Sequence, residues 1–250
     1  MSRNKHNALH RYAAGINAAS DTSGVPQLPF FHPTQQGWKI LCEDFNDKLG
    51  YNADSATYEF TAIGSGTAAA STGGIKQANS TTTINEGSIV QAITATVIPA
   101  ASTKKLYLEV SATITAATMS GTEFFAGFSA DQGTTATEFV AADGLSLAAD
   151  DAFLVGKLDT ATSMSFYATQ SDAQQVVSFG SNPTTATRHV WSVYYSGTTY
   201  YLYKDGVQMA SEVKTVFNDD AAMGFVSYFK SATAEAQSSI VNYVLMAYEL

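Results

Sequence analysis

A chain of 250 residues, 45% hydrophobic and 12% aromatic, carries enough apolar material for a large core, which excludes an intrinsically disordered polypeptide. Only 14% of the residues are charged and the net charge is −9, which excludes a body that attracts nucleic acid. Cys42 is the single cysteine, so no internal disulfide framework exists, and no window reaches the roughly 18 apolar residues of a membrane span.

Residues 1–37 differ from the rest. The charge divides unevenly: the first 40 residues hold Arg3, Lys5, Arg11 and Lys39 against Asp21 alone, leaving 9 basic and 21 acidic residues beyond them. Leu9, Tyr12 and Ile16 fall at helical spacing and predict one short amphipathic helix at about 7–17. Pro26, Pro29 and Pro33 then forbid helix and central strand, so 21–37 is expected to be extended, with Phe30 and Phe31 displayed on it. The segment reads as an N-terminal arm that lies across a neighbour, with Tyr12, Ile16, Phe30 and Phe31 as apolar anchors and Arg3, Lys5 and Arg11 adding charge. The start MSRNKHNALHRY has no apolar stretch behind its basic residues, so synthesis in the cytoplasm without a Sec-type signal is expected.

From Trp38 to the end, nearly every segment reads as a strand and no helical period interrupts. The predicted strands are 39–45, 57–63, 88–98, 104–116, 123–129, 138–147, 152–158, 163–169, 174–178, three within 188–211, 223–230 and 238–249. Cys42 is expected to be a small core residue of the first. The Gly/Ser/Thr/Ala-rich run 64–83 is expected to be a long flexible loop, or an insertion packed on a neighbouring subunit. In 104–116, Leu106, Leu108, Val110 and Ala112 alternate with Lys105, Tyr107, Glu109 and Ser111, the pattern of a half-buried strand. The last strand places Ile240, Asn242, Val244, Met246 and Tyr248 on one face. The first and last strands are expected to pair.

The run RHVWSVYYSGTTYYLYKDGVQMAS, 188–211, predicts three antiparallel strands, with turns at Gly197-Thr198 and at Lys204-Asp205-Gly206. A Trp-bearing strand, a Tyr-rich strand and an Asp-Gly turn in this order resemble the concanavalin-like, laminin-G-like jelly roll, and WKILCEDFND at 38–47 resembles the opening strand of laminin-G-like domains. The stretch Ala126–Asp131, AGFSAD, followed by Asp143-Gly144 and Asp150-Asp151, resembles a pattern of tailed-bacteriophage virion proteins. The resemblance covers 38–250. It implies an all-β, concanavalin-like antiparallel β-sandwich with an extended N-terminal arm. It also implies a structural protein on the virion's capsid surface: a decoration or cement protein, made in the host cytoplasm. Its expected partners are the major capsid protein, through the arm, and further copies of itself, as a homotrimer. The rival reading is a carbohydrate-binding, lectin-like module or an adhesin for host-surface glycans, and a hydrolase comes third.

Residues for catalysis do not assemble in the sequence. His189 is the only histidine beyond the first segment, no G-x-S-x-G elbow surrounds a serine, and no E-x-D-x-E run supplies paired carboxylates on one strand face. Arg188 is the only arginine after residue 11, so the arginine-rich subsite of jelly-roll polysaccharide lyases cannot be built. Catalytic residues, metal ligands and cofactors are therefore expected to be none. Asp143, Asp150, Asp151, Asp219 and Asp220 are expected to serve turns, because no D-x-D-x-D-G loop accompanies them. Tyr194, Tyr195, Tyr200, Tyr201 and Tyr203 offer rings for sugar stacking or for the core, and alternation divides them between the two faces.

Overall fold

In a computed structural model, the described residues, 38–45, 58–71, 73–79, 84–92, 103–117, 119–130, 151–171, 173–218 and 221–249, form fifteen strands in two facing antiparallel sheets. The strands are β1 (Trp38–Asp44), β2 (Tyr58–Ile63), β3 (Thr67–Ser71), β4 (Gly74–Ala78), β5 (Glu86–Ala92), β6 (Leu106–Thr115), β7 (Thr122–Ser129) and β8 (Ala152–Lys157). They continue with β9 (Ser165–Gln170), β10 (Ala173–Ser178), β11 (Arg188–Tyr195), β12 (Thr199–Lys204), β13 (Val207–Val213), β14 (Gly224–Ser231) and β15 (Ser238–Glu249).

The larger sheet runs β13-β12-β11-β6-β15-β4-β3, with β1 also on β15; the smaller runs β10-β9-β8-β7-β14-β5-β2. β15 is long enough to take two partners on one edge. β4 pairs with its start, Ser238–Val241, and β1 with its end, Tyr243–Glu249, so first and last strands do pair. The predicted arm, its helix, Arg3, Lys5, Arg11, Tyr12, Ile16, Phe30 and Phe31, and the strand expected at 138–147 lie outside the described residues.

The core is aromatic. Trp191, Tyr195 and Tyr200 from the larger sheet meet Phe166, Phe179 and Phe217, with ring centroids 4.7–5.0 Å apart along Tyr195–Phe217, Phe166–Tyr200, Tyr195–Tyr200 and Phe179–Trp191. The inward tyrosines satisfy their hydroxyls at the rim, Tyr195 donating to the Gly197 carbonyl and Tyr200 to that of Val216, each at 2.6 Å. Burial leaves Tyr200 far harder to ionise than free tyrosine. The Asp-Gly turn forms as expected, with positive φ at Asp205 (50°) and Gly206 (82°), the conformation of a type I′ hairpin.

Three expectations need correction. Residues 64–83 are not simply a loop: β3 and β4 form a hairpin that extends the larger sheet, with Ile75 and Gln77 turned inward. Gln77 crosses the sandwich to donate to the Ser88 carbonyl (2.9 Å) and accept from the Ser227 hydroxyl (2.5 Å), which ties the hairpin to the smaller sheet. Gly66 packs so closely on the backbone of Gly87 that a Cβ there would stand 1.6 Å from its carbonyl oxygen, so a low-complexity glycine marks a contact and not slack. Second, a register shift between Val241 and Tyr243 breaks the period of β15, and Val241, not Ile240, joins Val244, Met246 and Tyr248 in the core. Third, β6 is buried on both faces: Tyr107, Glu109 and Ser111, which point away from the core, are as hidden as their inward neighbours.

Candidate functional site

The outward face of the larger sheet carries the densest polar chemistry among the described residues. Because Leu106, Leu108, Val110, Trp191, Val193, Tyr200 and Leu202 fill the core, alternation sends Tyr107, Glu109, Ser111, Ser192, Tyr194, Tyr201 and Tyr203 to the opposite side. Cross-strand register sets Glu109 beside Ser192, Ser192 beside Tyr203, and Tyr107 beside Tyr194, which adjoins Tyr201.

Glu109 is the centre of this face. Its carboxylate accepts the hydroxyls of Tyr107 (2.5 Å) and Tyr243 (2.5 Å) and of Ser192 (3.0 Å). A buried carboxylate is costly unless its lone pairs are filled, and here three donors from β6, β11 and β15 fill them. Burial, and then the neighbouring Glu109 charge, push the Tyr107 phenol well above the ordinary tyrosine range, so it stays a donor. Beside this network Tyr194 and Tyr201 stack with centroids 6.1 Å apart at 26°, and Tyr203 carries a buried hydroxyl without a hydrogen-bond partner among the described residues. Burial, with Tyr201 and Tyr194 nearby, holds Tyr203 up to about 12. At the end of the strands, Arg188 donates from Nε to the Ser111 hydroxyl (2.8 Å) and lies 5.8 Å above the Tyr243 ring.

His189 has a structural duty. The Thr184 N–H donates to Nε2 (3.1 Å), so the proton resides on Nδ1 and is donated to Asp205 Oδ2 at 2.7 Å. Asp205 also accepts the Val190 N–H (2.9 Å), which fastens the Asp-Gly turn to β11. Among the expected turn aspartates, Asp151 accepts the Ser171 N–H (3.2 Å); Asp143, Asp150, Asp219 and Asp220 lie outside the described residues. Among the described residues no group of three or more His, Cys, Asp or Glu side chains is placed to hold a metal ion.

Sequence reasoning divided the tyrosines correctly in number but did not single out Glu109. The usable signal was a carboxylate at the middle of a strand with a tyrosine two residues before it.

No protein-family model matches the chain, and no curated protein matches it. Solved structures do. The Emp47p carbohydrate recognition domain is 12% identical over 84% of this chain and 96% of that one, with a TM-score of 0.55. An endo-1,3-β-glucanase from Streptomyces sioyaensis is 9% identical over 90% and 99%, with a TM-score of 0.51. A protein of unknown function from Shewanella oneidensis MR-1 is 14% identical over 86% and 88%, with a TM-score of 0.50. The chain is an all-β sandwich of the concanavalin-like, jelly-roll fold.

Proposed function

We propose that this chain is a carbohydrate-binding, lectin-like module that takes a glycan on the outward face of its larger sheet and performs no turnover. The observation that carries the reading is the tyrosine group: the stacked Tyr194 and Tyr201 beside Tyr203, whose buried hydroxyl lacks a partner among the described residues. Sugars present flat C–H faces edged by hydroxyls. Tyr201, half-buried, presents a ring edged by a phenol that suits both parts of that surface, with the buried Tyr194 and Tyr203 beside it. A neighbour of the same fold, the Emp47p domain, is a carbohydrate recognition domain, which supports the same choice. Against turnover stands Glu109, whose oxygens are already claimed by three hydroxyls, and a retaining glycosidase would need a second carboxylate about 5 Å away.

The capsid-decoration reading, with its arm, its trimer and the major capsid protein as partner, rests on the sequence resemblance alone. A glycan array separates the two readings. A defined set of glycans should bind the full chain above background, whereas a chain that retains no glycan on the array contradicts the proposal.

A further inference from the structure

One row across the same outward face concentrates positive charge on a protein that is otherwise acidic. Register aligns Arg188 on β11 with Thr113 on β6, Thr113 with Ile240 on β15, Ile240 with Lys76 on β4, and Lys76 with Ala69 on β3. Ala112, Ile114, Val241, Ile75 and Gln77 turn to the interior, so the intervening residues Thr113, Ile240 and Lys76 all turn outward, as does Arg188 two residues before Val190. Three strand spacings separate Arg188 from Lys76, about 14 Å at ~4.8 Å each.

Arg188 is held without being neutralised. Its Nε is spent on Ser111 and its guanidinium carbon lies 5.8 Å from the centre of the Tyr243 ring, yet among the described residues no carboxylate pairs with Arg188 or Lys76. With 22 acidic residues against 13 basic ones, an anchored guanidinium lacking a carboxylate is the reverse of what the composition favours. Fixing Nε leaves the Nη edge, a planar pair of N–H donors matched to the two oxygens of a carboxylate. Thr113 and Ile240, both only half-buried, form a low floor between the two cations. Tyr203 adjoins Ser192, four residues along β11 from Arg188, so the tyrosines begin roughly 13 Å from the basic row.

The geometry points to an acidic oligosaccharide as the ligand: a uronate-bearing glycan whose carboxylates dock on Arg188 and Lys76 while a further sugar reaches the tyrosines. This inference rests on the carbohydrate-binding reading and narrows it. A single forked cation and a single lysine suffice for recognition by binding, without the arginine cluster that lyase chemistry requires.

The test is calorimetric titration of the full chain with an oligogalacturonate, its methyl ester, a sulfated galactan oligosaccharide and the best neutral glycan from the array. The free acid should bind at least tenfold more tightly than its ester. Arg188→Gln should erase that preference while neutral glycans are still bound, and Arg188→Lys should restore only part of it. Equal affinity for acid and ester, with neutral glycans still bound, overturns the acidic ligand and leaves the carbohydrate reading standing. A preference that survives Arg188→Gln overturns the site, and a stronger response to sulfate than to carboxylate overturns the forked contact. Failure of every sugar to bind sinks the broader reading instead.

Discussion

Trp191→Ala is expected to destabilise the fold by about 3–5 kcal/mol, the range for emptying a large aromatic site in a close-packed core. Trp191 is almost fully buried and packs edge-on against Phe179 at 5.0 Å, with the His189 ring 5.8 Å away. The Lys204 ammonium stands 5.0 Å over the indole while donating to the Ser181 hydroxyl (3.0 Å) and the Asn182 carbonyl (3.2 Å). Removing the indole therefore opens a cavity and loosens the support beneath the 181–187 connection. Denaturant titration gives the number. Trp191→Phe should recover part of the loss, and a cost below about 1 kcal/mol for alanine would mean that the two sheets do not close on this ring.

The second large effect is a stability maximum on the alkaline side. Lys157 is fully buried, with its ammonium donating to the carbonyls of Met119 (2.7 Å) and Thr122 (2.6 Å). Burial pushes its pKa down to about 8, against the opposing pull of Asp159 and Glu123. In the unfolded chain the same lysine holds its proton to about 10.4. Between those values the unfolded state binds more protons, so stability rises with pH from about 8 to about 10 by up to roughly 3 kcal/mol. Tyr167 and Tyr203, raised by burial to about 12, act in the opposite sense. Unfolded tyrosine loses its proton near 10, so the folded state is penalised as pH climbs beyond that. Denaturation midpoints from pH 7 to 11 should rise and then fall. Lys157→Met should flatten the rise and keep the fall; a rise that persists in the variant would show that Lys157 is not its source.

Most strands were legible because they leave a local signature; β3 and β4, in a Gly/Ser/Thr/Ala-rich run that reads as a loop, were not. The alternation of β6, the Asp-Gly turn between β12 and β13, and the pairing of first and last strands all follow from period and turn chemistry. What escaped is non-local. Nothing near Gly66 announces that it meets Gly87, and nothing near Gln77 announces its partners Ser88 and Ser227 on the other sheet. The irregularity at Asn242 was hidden for a related reason. Its backbone carbonyl receives the Phe45 N–H at 2.9 Å, its side-chain NH2 donates to the Gly73 carbonyl, and its Oδ1 accepts from Ser111 at 3.4 Å, so it fills the gap where β4 gives way to β1 along β15. The site was half visible. Five tyrosines on two adjacent strands suggested rings for a sugar, and alternation turned Tyr195 and Tyr200 inward and Tyr194, Tyr201 and Tyr203 outward. Glu109 was visible as an outward residue but not as the acceptor of hydroxyls from β15 and β11, since those partners lie 134 and 83 positions away.

Whether the tyrosine face is where the chain holds sugar is decided most directly by titrating the strongest array ligand into the unaltered chain and into Tyr201→Ala. Tyr201 is only half-buried, so its loss should leave the melting temperature nearly unchanged. Affinity should fall about tenfold, the equivalent of about 1.4 kcal/mol for one stacking ring. Unaltered affinity in the variant would contradict the assignment of binding to this face.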